Sequence, residues 1–302
     1  VGRKMSRNIT FLKPEHVAPI LGLNLRARTI VEGIIAGIHK SPYHGFSAQF
    51  LEYKHYYPGE STRYIDWRKY AKINKLMVKQ FEDESNLFAW ILLDKSASMN
   101  FNSQSYMSKY EYAKTLAASL SWILIRQRDP VGLFLFDKKE NLIIPPKSTN
   151  VQLKTILITL EKSFASLETN CGESISQFSK NIKKRGLCII ISDFFDDVES
   201  ISKGLRFLKY KKQDIIAIRI LDPLENDFKK SGIISLKDME ISKKVVLDGI
   251  TATEYFNKGI KEHSKKLKDS CNLFGIDFYD IVTDESFAKA ILKVLKKRRR
   301  MF

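Results

Sequence analysis

Three apolar runs, each followed by polar residues, constrain this chain more than any other feature. Leu87-Phe88-Ala89-Trp90-Ile91-Leu92-Leu93 is the first, Val131 to Phe136 the second and Leu187 to Ser192 the third. A strand with one wet face alternates apolar and polar residues. An almost unbroken apolar run of this length reads instead as a strand buried on both faces, as in a parallel sheet covered by helices. Ile215 to Leu221 and Ile276 to Ile281 read as two more strands. Helical stretches separate and follow them: Tyr110 to Ile125, Val151 to Phe164, Ile201 to Tyr210, Tyr255 to Leu273 and Ser286 to Arg299. Strands alternating with helices predict an α/β fold, a doubly wound and mostly parallel sheet flanked by helices.

The segment before the first run has a different texture. Residues 24 to 38 predict a helix with Asn24 as its N-cap, although Gly33 lies inside it. Ser41-Pro42-Tyr43-His44-Gly45 is a loop, and the aromatic-rich stretch Phe46 to Tyr57 suits a strand. Pro58-Gly59-Glu60 marks a turn, and Leu76 to Phe81 a further strand. Composition shifts near Ser85. The chain of 302 residues is long enough for two units. The expected division is therefore a small N-terminal α+β domain over residues 1–85 and the α/β domain over 86–302.

Apolar residues make up 44% of the chain, which excludes disorder through lack of a core. No run of 18 or more apolar residues occurs, so no transmembrane helix is predicted. Val1 to Ile20 lacks the apolar stretch of a secretory signal, and Val1 in place of an initiator Met suggests trimming. Cys171, Cys188 and Cys271 are odd in number and widely spaced, which is neither a disulfide framework nor a zinc pattern. A reducing, cytoplasmic setting is the expectation. Lys and Arg number 51 against 34 Asp and Glu, a net charge of +17. That excess suits a nucleic-acid or anionic-membrane partner, or else lysines scattered over solvated faces. The one dense cluster, Lys296 to Arg300, suits only weak contact with a membrane surface or a nucleic acid.

In open parallel sheets, ligands bind beyond the carboxyl ends of the strands. Asp94-Lys95-Ser96-Ala97-Ser98 follows the first run, and Ser192-Asp193-Phe194-Phe195-Asp196-Asp197 closes the third. Glu168-Thr169-Asn170-Cys171-Gly172 lies between them. Asp94, Ser96, Ser98, Thr169 and Asp193 are all hard oxygen donors. Such donors select Mg²⁺, with Mn²⁺ and Ca²⁺ as alternatives, over zinc or copper. If the chain turns sharply after Asp94, the alternate side chains of D-x-S-x-S converge on one point. Two carboxylates bring a divalent ion near neutrality and leave a coordination position for a partner's carboxylate. The plainer alternative is that the hydroxyls cap helices and the aspartates make turns.

From Ser85 onward the chain resembles the von Willebrand factor A domain family. Asp94, Ser96 and Ser98 match its D-x-S-x-S motif, Thr169 its separate metal-site Thr, and Asp193 its strand-end Asp. Phe194 stands where that family commonly has Gly. The N-terminal block narrows the resemblance. Tyr56-Tyr57-Pro58-Gly59-Glu60-Ser61-Thr62-Arg63-Tyr64-Ile65-Asp66-Trp67 is similar to a signature of the family called domain of unknown function 58, with Glu60 in place of Asp. Asp222-Pro223-Leu224-Glu225, followed by Leu236, Asp238 and Glu240, is similar to a later stretch of it. The resemblance implies a cytoplasmic bacterial protein without established activity, working beside a MoxR-type AAA+ ATPase in chaperone-like maturation of a client complex. It also implies a metal-ion-dependent adhesion site. Physically, Arg63, Asp66 and Trp67 suit a packed joint between the domains, since Trp is usually buried. They also suit a partner surface, where Arg and Trp are common.

No catalytic apparatus is visible. None of His16, His39, His44, His55 and His263 is placed by a motif beside Ser96 or Cys171. A phosphate-binding G-x-x-x-x-G-K-[ST] loop is absent, and an aspartyl-phosphate phosphatase would want a second Asp where Ser96 stands. The expected function is a non-catalytic interaction module; the alternative is a basic adaptor for nucleic acid or a membrane surface with no functional metal.

Overall fold

The apolar runs become inner strands of a six-stranded sheet in the computed structural model, which describes residues 12–39, 50–57, 65–81, 88–103, 105–137, 141–165, 170–229, 233–237 and 244–299. In chain order the elements are α1 (Pro14–Val17), α2 (Leu23–His39), β1 (Phe50–His55), α3 (Trp67–Ile73), β2 (Met77–Phe81), β3 (Phe88–Asp94), α4 (Lys109–Arg126), β4 (Val131–Phe136), β5 (Leu142–Lys147) and α5 (Asn150–Lys162). There follow α6 (Cys171–Asn181), β6 (Gly186–Ser192), α7 (Val198–Tyr210), β7 (Asp214–Leu221), α8 (Pro223–Asn226), β8 (Ile233–Lys237), β9 (Lys244–Asp248), α9 (Gly249–Leu273), β10 (Asp277–Val282) and α10 (Phe287–Arg299).

The sheet order is β10-β7-β6-β3-β4-β5, parallel except for β5. This is the doubly wound order, which reverses between β3 and β6. Those two strands lie side by side in register, Ile91 opposite Ile189 and Leu93 opposite Ile191. Period-two alternation sends Trp90 and Leu92 into a core cluster with Phe134, Phe178, Ile190, Leu205 and Leu267, to which α6, α7 and α9 contribute. Ile91 and Leu93 point to the other face, against which α4 packs. Its Thr115, Ser119 and Ser121 hydroxyls are buried but satisfied, each donating to the carbonyl four residues back.

β5 was not predicted. Pro145 and Pro146 speak against a strand, and it survives because it is the sheet edge, paired only with β4. The β8–β9 hairpin was missed as well. α9 starts at Gly249, earlier than Tyr255, because the Asp248 carboxylate accepts from Ile250 N and Thr251 N.

Two compact units result: Val1–Gly37 with Leu87–Phe302, and Ile38–Asn86. This differs from a division at 85/86, which places the first helices in the small block. The Phe287 amide donates to Leu12 O at 3.1 Å, and Leu12, Leu23, Ala27 and Ile30 are buried. Asn24 is not the N-cap expected. α2 begins at Leu23, whose amide donates to Glu161 Oε2 of α5 at 2.8 Å.

The small unit has an antiparallel β1–β2 pair, His55 opposite Met77, with a bridge from Ile65 to Val78. Asp66 caps α3, accepting from Arg68 N and Lys69 N. Trp67 is 61% exposed and edge-on to Tyr70, contrary to the expectation of burial, since so short a helix here buries no residue. Pro58, Gly59, Glu60 and Arg63 of that signature lie outside the described residues.

Gly172 of α6 and Gly204 of α7 let the two helices touch. A Cβ on Gly172 would stand 2.3 Å from the Ser200 carbonyl carbon, and one on Gly204 would stand 2.6 Å from Gly172 O. Both obstacles are backbone and cannot rotate away. We predict that Gly172→Ala costs about 3 kcal/mol, at the upper end of ordinary overpacking. Urea denaturation measures it; an unchanged midpoint would contradict this close contact.

Candidate functional site

The sheet brings Asp94 and Asp193 to its carboxyl edge at the point where the strand order reverses. Asp94 ends β3, and the Ser96 amide donates to Asp94 Oδ1 at 2.9 Å, which folds the chain back. Ser96 and Ser98 then lie with their Oγ atoms 3.1 Å apart. Ser96 occupies the N-cap position of the 3-10 turn Ala97–Asn100, yet its hydroxyl makes no capping bond. Ser108, Asn170 and Asp197 do cap, accepting from Glu111 N, Glu173 N and Ser200 N. Helix capping therefore accounts for those residues and not for Ser96.

Asp193 follows β6. Phe194, standing where Gly is common in the resembling family, itself takes the left-handed conformation at φ 53°. Left-handed backbone is disfavoured for a bulky residue. Here the ring is buried against Phe278, and the Phe194 amide donates to Ser192 Oγ at 2.9 Å. The Ser192 hydroxyl donates in turn to Asp94 Oδ2 at 2.6 Å. One serine thus ties the two acidic turns together.

The other Asp193 contact was not foreseen. Lys109, at the start of α4, is wholly buried, and its ammonium lies 2.8 Å from Asp193 Oδ2 and 2.7 Å from Glu225 Oε1. Glu225 Oε2 accepts from the Asp222 amide, completing a capping box on α8. The Asp222 carboxylate holds the Ser103 amide and hydroxyl. The Asp-Pro-x-Glu stretch therefore joins the loop after the serines to the strand-end acids. A signal for Lys109 existed: it shares a helix face with Tyr112, Ala113 and Leu116, all buried, where a lysine needs a carboxylate.

Burial, and next the charge of Asp193, push the Asp94 carboxyl up to about 7, against hydrogen bonds from Ser192 and Ser96 that pull it down. Burial would lower Lys109, but Asp193 and Glu225 more than offset it and raise it above the ordinary lysine value. Burial raises Glu225, with Lys109 acting the other way. Burial, then the charge of Asp94, hold the Cys171 thiol well up, so it is no thiolate nucleophile. His263 bonds the Asp196 carbonyl at 3.2 Å.

Of the five predicted donors, Asp94, Ser96 and Ser98 are gathered in one turn, and Asp193 follows the neighbouring strand with its Oδ2 on Lys109. Thr169 lies outside the described residues; its neighbour Asn170 caps α6. Among the described residues no three His, Cys, Asp or Glu side chains form a metal cluster. A cation here would take hydroxyls as well as carboxylates, and that donor set suits a hard ion. Two buried carboxylates, beside a Ser96 hydroxyl not used for capping and paired with that of Ser98, fit such an ion chemically.

A doubly wound sheet with a D-x-S-x-S turn at its switch point is a von Willebrand factor A-like arrangement. The model of the family described as "Protein of unknown function DUF58" matches residues 52–266, and the chain belongs to that family. Uncharacterized proteins of Mycobacterium tuberculosis and Mycobacterium bovis are each 22% identical over 292 residues, 95% of this chain and 91% of theirs. Among solved structures, BatB from Bacteroides thetaiotaomicron is 17% identical with a TM-score of 0.45, over 71% of this chain and 99% of that one. The SpRpn10 VWA domain is 13% identical with a TM-score of 0.41, over 68% and 93%. No helix among the described residues is long and apolar enough to cross a membrane.

Since Asp94 titrates near 7 folded and near 3.8 unfolded, the metal-free folded protein holds the extra proton between those values. Stability then falls as pH rises through that window. We predict that Asp94→Asn flattens this slope and raises the melting temperature in EDTA at pH 8. A variant that melts below wild type there, with the same slope, would contradict the assignment.

Proposed function

We propose that this chain is a non-catalytic interaction module that binds a divalent cation, Mg²⁺ in the first instance, and through it an acidic side chain of a protein partner. Asp94, Ser96, Ser98 and Asp193 would hold the ion, with Thr169 as the fifth donor the motif order supplies. When bound, the ion would supply a positive point of attachment for a carboxylate. The partner implied by the family resemblance is a MoxR-type AAA+ ATPase, for which the chain would serve as adaptor in maturing a client complex, in the cytoplasm.

The observation that carries this reading is the Ser96–Ser98 hydroxyl pair, 3.1 Å apart, with Ser96 unused in capping and next to a fully buried carboxylate. The chain's own residues prepare the place. Ser192 and the Ser96 amide orient Asp94, the Phe195 amide donates to Asp193 Oδ1 at 3.3 Å, and the sheet beneath excludes water.

Calorimetric titration with Mg²⁺ or Mn²⁺ tests the ion. Wild type is predicted to show saturable heat and Asp94→Ala none; equal heats would remove Asp94 from the role. A pull-down of the purified ATPase tests the partner. Retention lost in EDTA and kept at moderate salt supports a metal bridge. Retention insensitive to EDTA, with salt-sensitive binding to DNA, RNA or anionic vesicles, favours the basic adaptor instead.

A further inference from the structure

Lys109 stands out as a buried ionic group that the proposed ion site does not itself require. It has no exposed surface, and both its short contacts are to carboxylates. One of these, Asp193, is a proposed ion ligand. The other, Glu225, is fixed from a different loop by the Asp222 amide. The Phe195 ring lies 5.0 Å from the ammonium and the Phe101 ring 6.0 Å, so aromatic faces rather than water complete its surroundings.

Counting charge gives the consequence. Asp94, Asp193 and Glu225 are three carboxylates at this strand edge, and among the described residues Lys109 is the one ammonium within ion-pair distance of Asp193 and Glu225. Asp193 and Glu225 carry two negative charges against the one positive charge of Lys109, and Asp94 adds a third when it ionises. Affinity of a hard-cation site follows its ligand charge. In a buried setting a unit charge a few ångströms away changes that affinity by orders of magnitude.

We propose that Lys109 is a built-in cation of this site. It shares Asp193 with the divalent ion, lowers the affinity for that ion, and sets the site's charge through its second anchor on Glu225. The inference rests on the reading of the strand edge as a divalent-cation site. It adds a residue outside the D-x-S-x-S set that tunes the site, and it gives Glu225 of the Asp-Pro-x-Glu stretch a role.

Two substitutions break the same salt bridge and separate this role from a structural one. Lys109→Met removes the competing positive charge, so Mn²⁺ should bind at least about tenfold more tightly than to wild type. Glu225→Gln removes a negative charge and leaves the ammonium to Asp193 alone, so Mn²⁺ should bind at least about tenfold more weakly. Titrating Mn²⁺ by calorimetry, or by the loss of its free-ion paramagnetic resonance signal, reads both. The rise in melting temperature on adding saturating Mn²⁺ should be larger for Lys109→Met than for wild type. Affinities that move in the same direction for the two variants would overturn the proposal and leave Lys109 a packing group. Should Lys109→Met not fold without metal, Glu225→Gln alone decides, with unchanged or tighter Mn²⁺ binding as the contrary result. Wild type silent with Lys109→Met binding would support the competing ammonium. No Mn²⁺ binding by wild type or either folded variant would sink both this inference and the ion site. Binding by wild type with shifts of the wrong sign would sink this inference alone.

Discussion

Two carboxylates buried side by side at the ends of neighbouring strands are the constraint to which the rest of this edge responds. Asp94 closes β3 and Asp193 follows β6, where the sheet offers little solvent to separate their charges. In such surroundings like charges repel far more strongly than in water. The structure answers with the Ser96 amide and the Ser192 hydroxyl on one acid, and with an ammonium from α4 on the other.

The fold is well suited to carry that strain. Removing one partner of a buried ion pair ordinarily costs about 3–5 kcal/mol. A single fully buried Leu, Ile or Phe stabilises by roughly 1.5–3 kcal/mol. The inner strands are lined with such residues on both faces, among them Leu92, Phe134, Ile190 and Ile218. A few core side chains therefore offset the cost of a destabilised site. The doubly wound order also explains the position: the helices after β3 and β6 pack on opposite faces of the sheet, and the two acids lie where the strand order reverses.

Much of this was legible because the strongest physical signal, burial on both faces, is written in consecutive residues. Val131–Phe136 matches β4 residue for residue, and the other inner strands differ at their ends by one or two residues. The turn after β3 was legible too, since Asp94, Ser96 and Ser98 are close in sequence and local backbone decides their geometry. Long-range pairing was hidden. Leu23 takes its cap from Glu161, and Lys109 finds Asp193 and Glu225, partners that no local pattern announces. β5 was obscured because prolines forbid inner strands but not edges. The exposed Trp67 shows that a residue type's usual burial yields when its helix is too short to own a buried face.

The chain carries a net charge of +17, yet this strand edge gathers buried carboxylates. The central claim, that oxygens from separate turns meet at one point to hold a hard cation, is tested most directly by anomalous diffraction from crystals grown with Mn²⁺. The account predicts one strong peak within bonding distance of the Ser96 and Ser98 hydroxyls and facing Asp193, with those hydroxyls turned from each other to the ion. Saturating Mn²⁺ that leaves the two serines hydrogen-bonded to each other, with no peak between them and Asp193, would contradict it.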